Sequence, residues 1–483
     1  MDTRTKRAQF SKIPKRGFLI MSLDETTLIK KYNVAGPRYT SYPTVPYWDR
    51  SPTVDEWLTE LKKSFSIAQG NDSGMKKTGA AIYIHIPFCE SLCTYCGCNT
   101  RITRNRGVSR PYLEVVLKEF ETYRTKLGLT DKILLSELHL GGGTPTFLAP
   151  EELQFLLEGI FKHCELSDDY ELSVEVDPRV TSHKHLEVLR EFNFKRISLG
   201  IQDFDPKVQD IVHRIQSFAQ VKDITDQARA LGFTSVNYDL IYGLPLQTIA
   251  SVEDTIQKVN ELKPDRIAFY AYAHVPWIKA GQRRFTEADL PVGDAKRALY
   301  ERGRELLEAA GFVEIGMDHF SLKTDSLYTA SQKGTLHRNF MGYTARSVSP
   351  ILQLGVSAIG DAWTAFAQNE KLLETYVEVV NRGEIPIARG QLLNEEDVIL
   401  RTHILNLMTK MKTNWSDPKL KTPYLSEVPA KLQELEKDGL VTLAPETCTV
   451  TEKGRAFLRN ICMAFDARLS RKAPDTKLFS QTV

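Results

Sequence analysis

The sequence predicts an α/β protein: a partial (β/α)6-type barrel of parallel strands, with an N-terminal extension and a mostly helical C-terminal domain. Three observations predict it. From about residue 78, six apolar runs alternate with amphipathic stretches, separated by turns rich in Gly, Pro or Asp. That order builds parallel sheets through helical crossovers. Every run also ends in glycine or polar residues: Cys89, Gly141 to Thr144, Glu175 with Asp177, Gln202 with Asp203, Asp239 and His274. Barrels keep their chemistry at the C-terminal ends of all their strands, whereas a doubly wound sheet concentrates it at two neighbouring ends. Third, the alternation weakens after about residue 285, and from about 370 charged helical patterns dominate.

Taken in order, residues 1–29 form an extension whose basic start, "MDTRTKRAQFSKIPKRGFLI", is expected to be disordered, with a targeting arm as the alternative. Residues 30–77 make an N-terminal segment, 78–365 the catalytic domain with barrel core and flanking loops, and 366–483 the helical C-terminal domain. The six strands are expected at 80–87, 137–143, 171–178, 196–204, 235–245 and 266–274. Between them lie helices at Pro111–Leu127, Pro150–Lys162, Lys184–Phe192, Pro206–Leu231 and Ser251–Leu262. "VEIGMDHF" (313–320) reads as one more strand, and "LHRNFMGYT" (336–344) and "LGVSAIG" (354–360) as loops. The end of the chain runs helix, short strand pair, helix, like a winged helix without a basic stripe.

A net charge of +2 is too small to point to nucleic acid or an anionic membrane. No apolar run approaches the roughly 20 residues of a membrane span. With 42% hydrophobic and 26% charged residues, the chain can bury a large core as a soluble globular enzyme does, and a cytoplasmic location is expected. In that compartment thiols stay reduced, which argues against a disulfide reading of its cysteines.

Four of the seven cysteines fall within "CESLCTYCGC" (89–98). Zinc sites pair two such halves a dozen or more residues apart, and no second half follows; His85 is the one nearby candidate to complete a site. A closed cluster needs four thiolates, with Cys98 the fourth only if the chain turns back sharply. Three thiolates from Cys89-x3-Cys93-x2-Cys96 suit a four-iron cube with one iron left open. The run "GGGTP" (141–145), directly after a strand, suits close backbone approach to a ligand, or a tight turn alone.

On these features the chain resembles the radical S-adenosylmethionine enzymes. Nine ordered motifs narrow the resemblance: "GPRYTSYP" (36–43), "YIHIPFC" (83–89), "CGCN" (96–99), "GGGTPTFL" (141–148), "SLGIQDF" (198–204), "NYDLIYGLP" (237–245), "YAHVP" (272–276), "GMDHF" (316–320) and "LHRNFMGYT". Together they are similar to the oxygen-independent coproporphyrinogen III oxidases, from about residue 30 to "RNICMAFD" (459–466). That family converts two propionates of coproporphyrinogen III to vinyls in haem biosynthesis, giving protoporphyrinogen IX.

The resemblance implies that Cys89, Cys93 and Cys96 hold a [4Fe–4S] cluster and that Cys98 is not a ligand. It implies two S-adenosylmethionine molecules. Tyr83, Gly142, Glu175 and Ile359 would contact the first. Tyr95, Gly143, Thr144, Gln202, Arg214, Asp239 and Ala273 would line the second. Glu175 and Asp239 suit ammonium or ribose hydroxyls and Arg214 a carboxylate; the bland readings are strand-end caps and a solvated helix arginine. Where many relatives carry glutamine after "HRNF", this chain has Met341, which puts a contact to the second cofactor in doubt. Arg38 is a candidate for gripping a propionate, or else a loop arginine. The resemblance further implies a monomer, with residues 30–77 over the active site, an unidentified reductant and an unidentified electron acceptor. A haem chaperone of the same fold and a haem-ring-opening methyltransferase are the alternatives.

Overall fold

The computed structural model describes residues 23–70, 77–277, 279–472 and 478–482, so the basic start of the extension lies outside the described residues. Six strands stand where the alternation puts them: β1 (Ala80–Ile86), β2 (Ile133–Gly142), β3 (Cys164–Val176), β4 (Arg196–Gln202), β5 (Ser235–Tyr242) and β6 (Arg266–Ala271). They pair in chain order, each parallel to the next. Alternate apolar residues such as Ile82, Leu138, Val174, Leu199 and Leu240 are wholly buried, and with the flanking helices they form the main core.

Beyond β6 the expected single strand at 313–320 is a hairpin, β7 (Val313–Gly316) and β8 (His319–Ser321). Asp318 turns the chain between them at φ +65°. Strand β8 joins β6 antiparallel. On the other side, β9 (Ile351–Leu354) pairs parallel with β1, followed by antiparallel β10 (Ile359–Asp361), β11 (Ala365–Asn369) and β12 (Ile387–Leu392). The sheet order is therefore linear, β12-β11-β10-β9-β1-β2-β3-β4-β5-β6-β8-β7, and the barrel stays open. Residue 366 lies inside β11, so the sheet continues past the division expected there. The segment 336–344, expected as a loop, folds into its own hairpin, His337–Asn339 with Gly342–Thr344.

The expected helix Pro206–Leu231 is two helices. Asp205 caps the first, Pro206–Ile211, by accepting from the amides of Lys207 and Val208. His213 then takes φ +55°, and the Arg214 amide donates back to the Gln209 carbonyl at 2.9 Å. Ser217 and Gln220 form a capping box that starts the second, Phe218–Ala230. Arg214 thus sits in a break rather than on a helix face.

At the N-terminal end of the strands a buried ion network plugs the space inside the sheet. Arg266 meets Asp325 at 2.7 Å and Glu171 at 3.5 Å, and Arg196 meets Glu171 at 2.8 Å. Burial alone would raise the Glu171 carboxyl, but the two guanidinium groups outweigh it and hold it at about 2. A second core joins Leu28, Tyr32, Tyr39 and Tyr42 to Leu400, Leu407, Leu458 and Phe465 from the far end of the chain. The helix Leu23–Tyr32 contributes to it, so that part of the expected extension is packed. Residues 428–463 run helix (Val428–Lys437), hairpin (Val441–Ala444 and Thr447–Val450) and short helix (Leu458–Met463). No helix among the described residues is long and apolar enough to cross a membrane.

Candidate active site

The cysteine loop leaves the end of β1 and is tied down on both sides. The Arg101 amide donates to the Pro87 carbonyl at 2.7 Å and the Thr103 amide to Cys89 at 2.9 Å. Thr94 donates to the Val212 carbonyl at 3.0 Å, which fastens the loop to the helix break that holds Arg214. All seven cysteines are unbridged.

Cys93 is buried, and two guanidinium groups face its sulfur: Arg214 at 3.7 Å and Arg179 at 4.0 Å. Asp177, at the end of β3, holds both, accepting from Arg179 at 2.6 Å and from Arg214 at 3.2 Å. Burial would raise the Asp177 carboxyl, yet the two arginines keep it at about 2 and ionised. Cys96 is held down to about 6, first by hydrogen bonding from Cys98 and then by the charges of Lys279 and Arg214. Cys89 is pushed up to about 11 by burial, against a 3.3 Å hydrogen bond with the Thr144 hydroxyl. Among the described residues no three His, Cys, Asp or Glu side chains converge closely enough for a single metal ion. A four-iron cube spreads its three thiolates wider than one ion does, and two guanidinium groups beside Cys93 suit the negative charge of an iron–thiolate cluster. The donor set therefore fits a [4Fe–4S] cluster, and Cys98 stands exposed two residues beyond Cys96.

The glycine run carries β2 past the loop. Gly142 has φ +114°, and a Cβ there would stand 2.6 Å from the His85 ring; at Gly143 it would stand 2.6 Å from the Pro87 carbonyl oxygen. Neither position has room for a side chain. The Gly142 amide donates to Glu175 at 3.1 Å, and Glu175 also lies 3.4 Å from His139 Nε2. His139 in turn bonds Ser173 at 2.7 Å and stacks on Tyr83, with ring centroids 5.9 Å apart.

These residues open into a cavity of about 210 Å³. Tyr83, His139, Glu175 and Tyr270 form its strand side; Phe340, Met341, Ile351 and Ile359 close it. Of the first group expected from the sequence, Tyr83, Glu175 and Ile359 share this space and Gly142 is bonded to Glu175. Met341, expected to affect the second group, lines the same cavity as the first.

The second group is spread around the cysteine loop. Thr144 touches Cys89, and Gly143 donates its amide to the Ile86 carbonyl at 2.7 Å. Arg214 donates through Nε and Nη2 to the Gly200 carbonyl, close to Gln202, which ends β4 at φ +69°. Gln282, 1% exposed and unforeseen from the sequence, donates to the carbonyls of both Tyr95 and Ala273 (3.3 and 3.2 Å). Asp239 bonds Ser198 and Asn237 at 2.9 Å, and burial with the nearby Glu175 raises it to about 6. Arg38 donates to the Ala271 carbonyl at 2.7 Å and stands 3.7 Å from Asp318. Asp177, Arg179, His139 and Tyr270 also belong to the site. Their signal in the sequence was position alone, at or near strand ends.

Comparison with known proteins places the chain in a family. The Radical SAM superfamily matches residues 83–259. The chain is 38% identical over 454 residues to the oxygen-independent coproporphyrinogen III oxidase of Pseudomonas aeruginosa, covering 92% of this chain and 96% of that one. With the Escherichia coli enzyme of the same name it shares 37% identity over 93% and 96% of the two chains. The solved structure of coproporphyrinogen III oxidase from Escherichia coli, described as a radical SAM enzyme, superposes with a TM-score of 0.83 at 36% identity, covering 91% of this chain and 98% of that chain.

Proposed function

The chain belongs to the oxygen-independent coproporphyrinogen III oxidase family, a group of radical S-adenosylmethionine oxidoreductases with a [4Fe–4S] cluster, and on that premise we propose how its residues divide the work. The substrate is coproporphyrinogen III and the product protoporphyrinogen IX. Cys89, Cys93 and Cys96 would hold the cluster through their thiolates. When bound, the reduced cluster and S-adenosylmethionine supply a 5′-deoxyadenosyl radical to the cavity.

The protein's own part is binding, orientation and exclusion of water. Tyr83, Gly142, Glu175 and Ile359 position the first S-adenosylmethionine. Glu175 offers a carboxylate fixed by the Gly142 amide, suited to an ammonium group. Tyr95, Gly143, Thr144, Gln202, Arg214, Asp239 and Ala273 surround the second. Asp239 presents a carboxylate for ribose hydroxyls, and Gln282 keeps Tyr95 and Ala273 in place. The Asp177 clamp on Arg179 and Arg214 keeps positive charge against Cys93.

For each propionate, the carbon bonded to the pyrrole ring gives up one hydrogen atom. The side chain then loses CO2 and one electron, and the two remaining carbons become a vinyl group. Two such rounds convert the substrate. The electron passes to an acceptor outside the chain, and a separate one-electron reductant feeds the cluster. We read the protein as a cytoplasmic monomer in which residues 78–365 carry the chemistry, residues 30–77 cover it and the C-terminal part packs against both.

The observation that carries this reading is the cavity shared by Tyr83, Glu175 and Ile359, with Glu175 bonded to the strand-end glycine that follows the cysteine loop. The test is anaerobic: reconstituted, reduced protein is given coproporphyrinogen III and S-adenosylmethionine, and porphyrins and 5′-deoxyadenosine are separated by chromatography. Loss of two carboxylates per substrate, abolished in Cys93→Ala, is expected. If 5′-deoxyadenosine forms while the porphyrinogen is untouched, the substrate assignment is wrong. Tight haem binding without either product would indicate a chaperone.

A further inference from the structure

Arginines gather on the hairpin side of the cavity, and they differ in what they hold. Arg38 is engaged by Asp318 and the Ala271 carbonyl. Arg459 donates to the carbonyls of Gly36, Pro37, Ser480 and Gln481. Arg338 is 5% exposed, and its Nε and Nη1 are buried without a hydrogen-bond partner. Among the described residues it has no ion pair. Its guanidinium carbon stands 4.6 Å from the centre of the Tyr343 ring.

A buried guanidinium lacking a counter-charge is costly, and such groups are normally paired with carboxylate or phosphate. A cation–π contact with one ring offsets only part of that cost. Arg338 therefore looks toward a ligand rather than toward stability. Its position supports this. It lies on the strand leading into Phe340 and Met341, which wall the cavity. Tyr343 packs on His319 with centroids 5.0 Å apart, and His319 meets Tyr270, another wall residue, at 3.4 Å. Tyr270 and His319 both lie within reach of the Arg338 charge. His319 is kept neutral by burial and by Arg338, so it adds no second cation.

We propose that Arg338 is a substrate-binding residue whose guanidinium receives a carboxylate of the substrate at the Phe340–Met341 wall of the cavity. The inference rests on the porphyrinogen reading above and names the residue that fixes one propionate while another reacts. A guanidinium matches a carboxylate in a two-pronged geometry that a lysine cannot reproduce.

The test compares wild type, Arg338→Met and Arg338→Lys in the full-length reconstituted enzyme. Coproporphyrin III, the stable oxidised tetra-acid, and its tetramethyl ester are titrated anaerobically by fluorescence quenching, and KM and kcat for coproporphyrinogen III are measured in parallel. Wild type should prefer the acid to the ester. Arg338→Met should lose that preference through a roughly tenfold or larger loss of acid affinity, with KM rising alike. Arg338→Lys should recover part of it. The melting temperature of Arg338→Met should match or exceed wild type, because an unpaired buried charge is removed. Unchanged acid affinity in a folded Arg338→Met overturns the inference while leaving the function intact. A fall in melting temperature with an unchanged acid-to-ester ratio assigns Arg338 a structural role and also overturns it. Wild type that binds neither probe and turns over no porphyrinogen overturns the functional reading itself.

Discussion

The guanidinium of Arg214 stands 3.7 Å from the sulfur of Cys93, in a break between two helices that also ties down the cysteine loop. A positive charge that close to a buried thiolate favours whichever cluster state carries more negative charge, which is the reduced one. Arg214→Met should therefore lower the cluster's reduction potential by roughly tens of millivolts. Arg179→Gln, at 4.0 Å and more exposed, should lower it less. Redox titration followed by EPR reads both; equal or raised potentials would contradict the electrostatic assignment.

Cys98 follows Cys96 by two residues and is itself exposed. Cys98→Ser should retain iron, sulfide and the visible absorption of the reconstituted protein close to wild type, because Cys89, Cys93 and Cys96 all remain. Cys96→Ser should lose most of the iron. Iron loss on Cys98→Ser comparable to that of Cys96→Ser would make Cys98 a ligand.

Gly142→Ala places a methyl 2.6 Å from the His85 ring at a φ of +114°, and so displaces the amide that holds Glu175. Affinity for S-adenosylmethionine should fall at least tenfold, while iron content stays near wild type. Glu175→Gln should weaken affinity less, since the amide oxygen can still accept from Gly142. The change in the EPR spectrum of the reduced cluster on adding S-adenosylmethionine reports both.

Glu137 is buried beside Glu171 at the closed end of the barrel, and burial followed by that repulsion raises its carboxyl to about 8. The sign follows from linkage. The folded state keeps the Glu137 proton longer than the unfolded chain, so this contribution to stability is fully present below about pH 4.5 and is lost as pH rises through 8. Glu137→Gln stays neutral throughout. It should match wild type near pH 5 and exceed it by roughly 2–4 kcal/mol at pH 9 in denaturant unfolding. A gap that shrinks with rising pH would show that Glu137 is ionised in the fold.

The parallel block β1–β6 was legible because each strand is an apolar run closed by a turn signal, and a strand buried on both faces needs little else. The cysteine spacing was equally plain. Where short strands carry polar residues, the pattern fails. His337–Asn339 and Ile359–Asp361 are three residues each, too short to show alternation, and pairing alone defines them. The break at Arg214 was hidden for a different reason. Residues 206–231 keep helical composition throughout, and the interruption rests on the Asp205 and Ser217 caps and a left-handed His213. With the break unseen, Arg214 reads as a solvated helix residue, whereas it is 8% exposed against Cys93. The carboxylates at strand ends were visible as residues, but their partners were not. That Asp177 clamps two arginines, or that Arg338 has no ion pair among the described residues, depends on contacts across the sheet that no local pattern encodes.

In the proposed reaction a hydrogen atom leaves the propionate carbon next to the ring and ends on 5′-deoxyadenosine. Coproporphyrinogen III deuterated at that carbon, incubated anaerobically with the reduced enzyme and unlabelled S-adenosylmethionine, tests it by mass spectrometry of the nucleoside. Singly deuterated 5′-deoxyadenosine, formed in step with vinyl product, is expected. Vinyl product accompanied by undeuterated 5′-deoxyadenosine would contradict it.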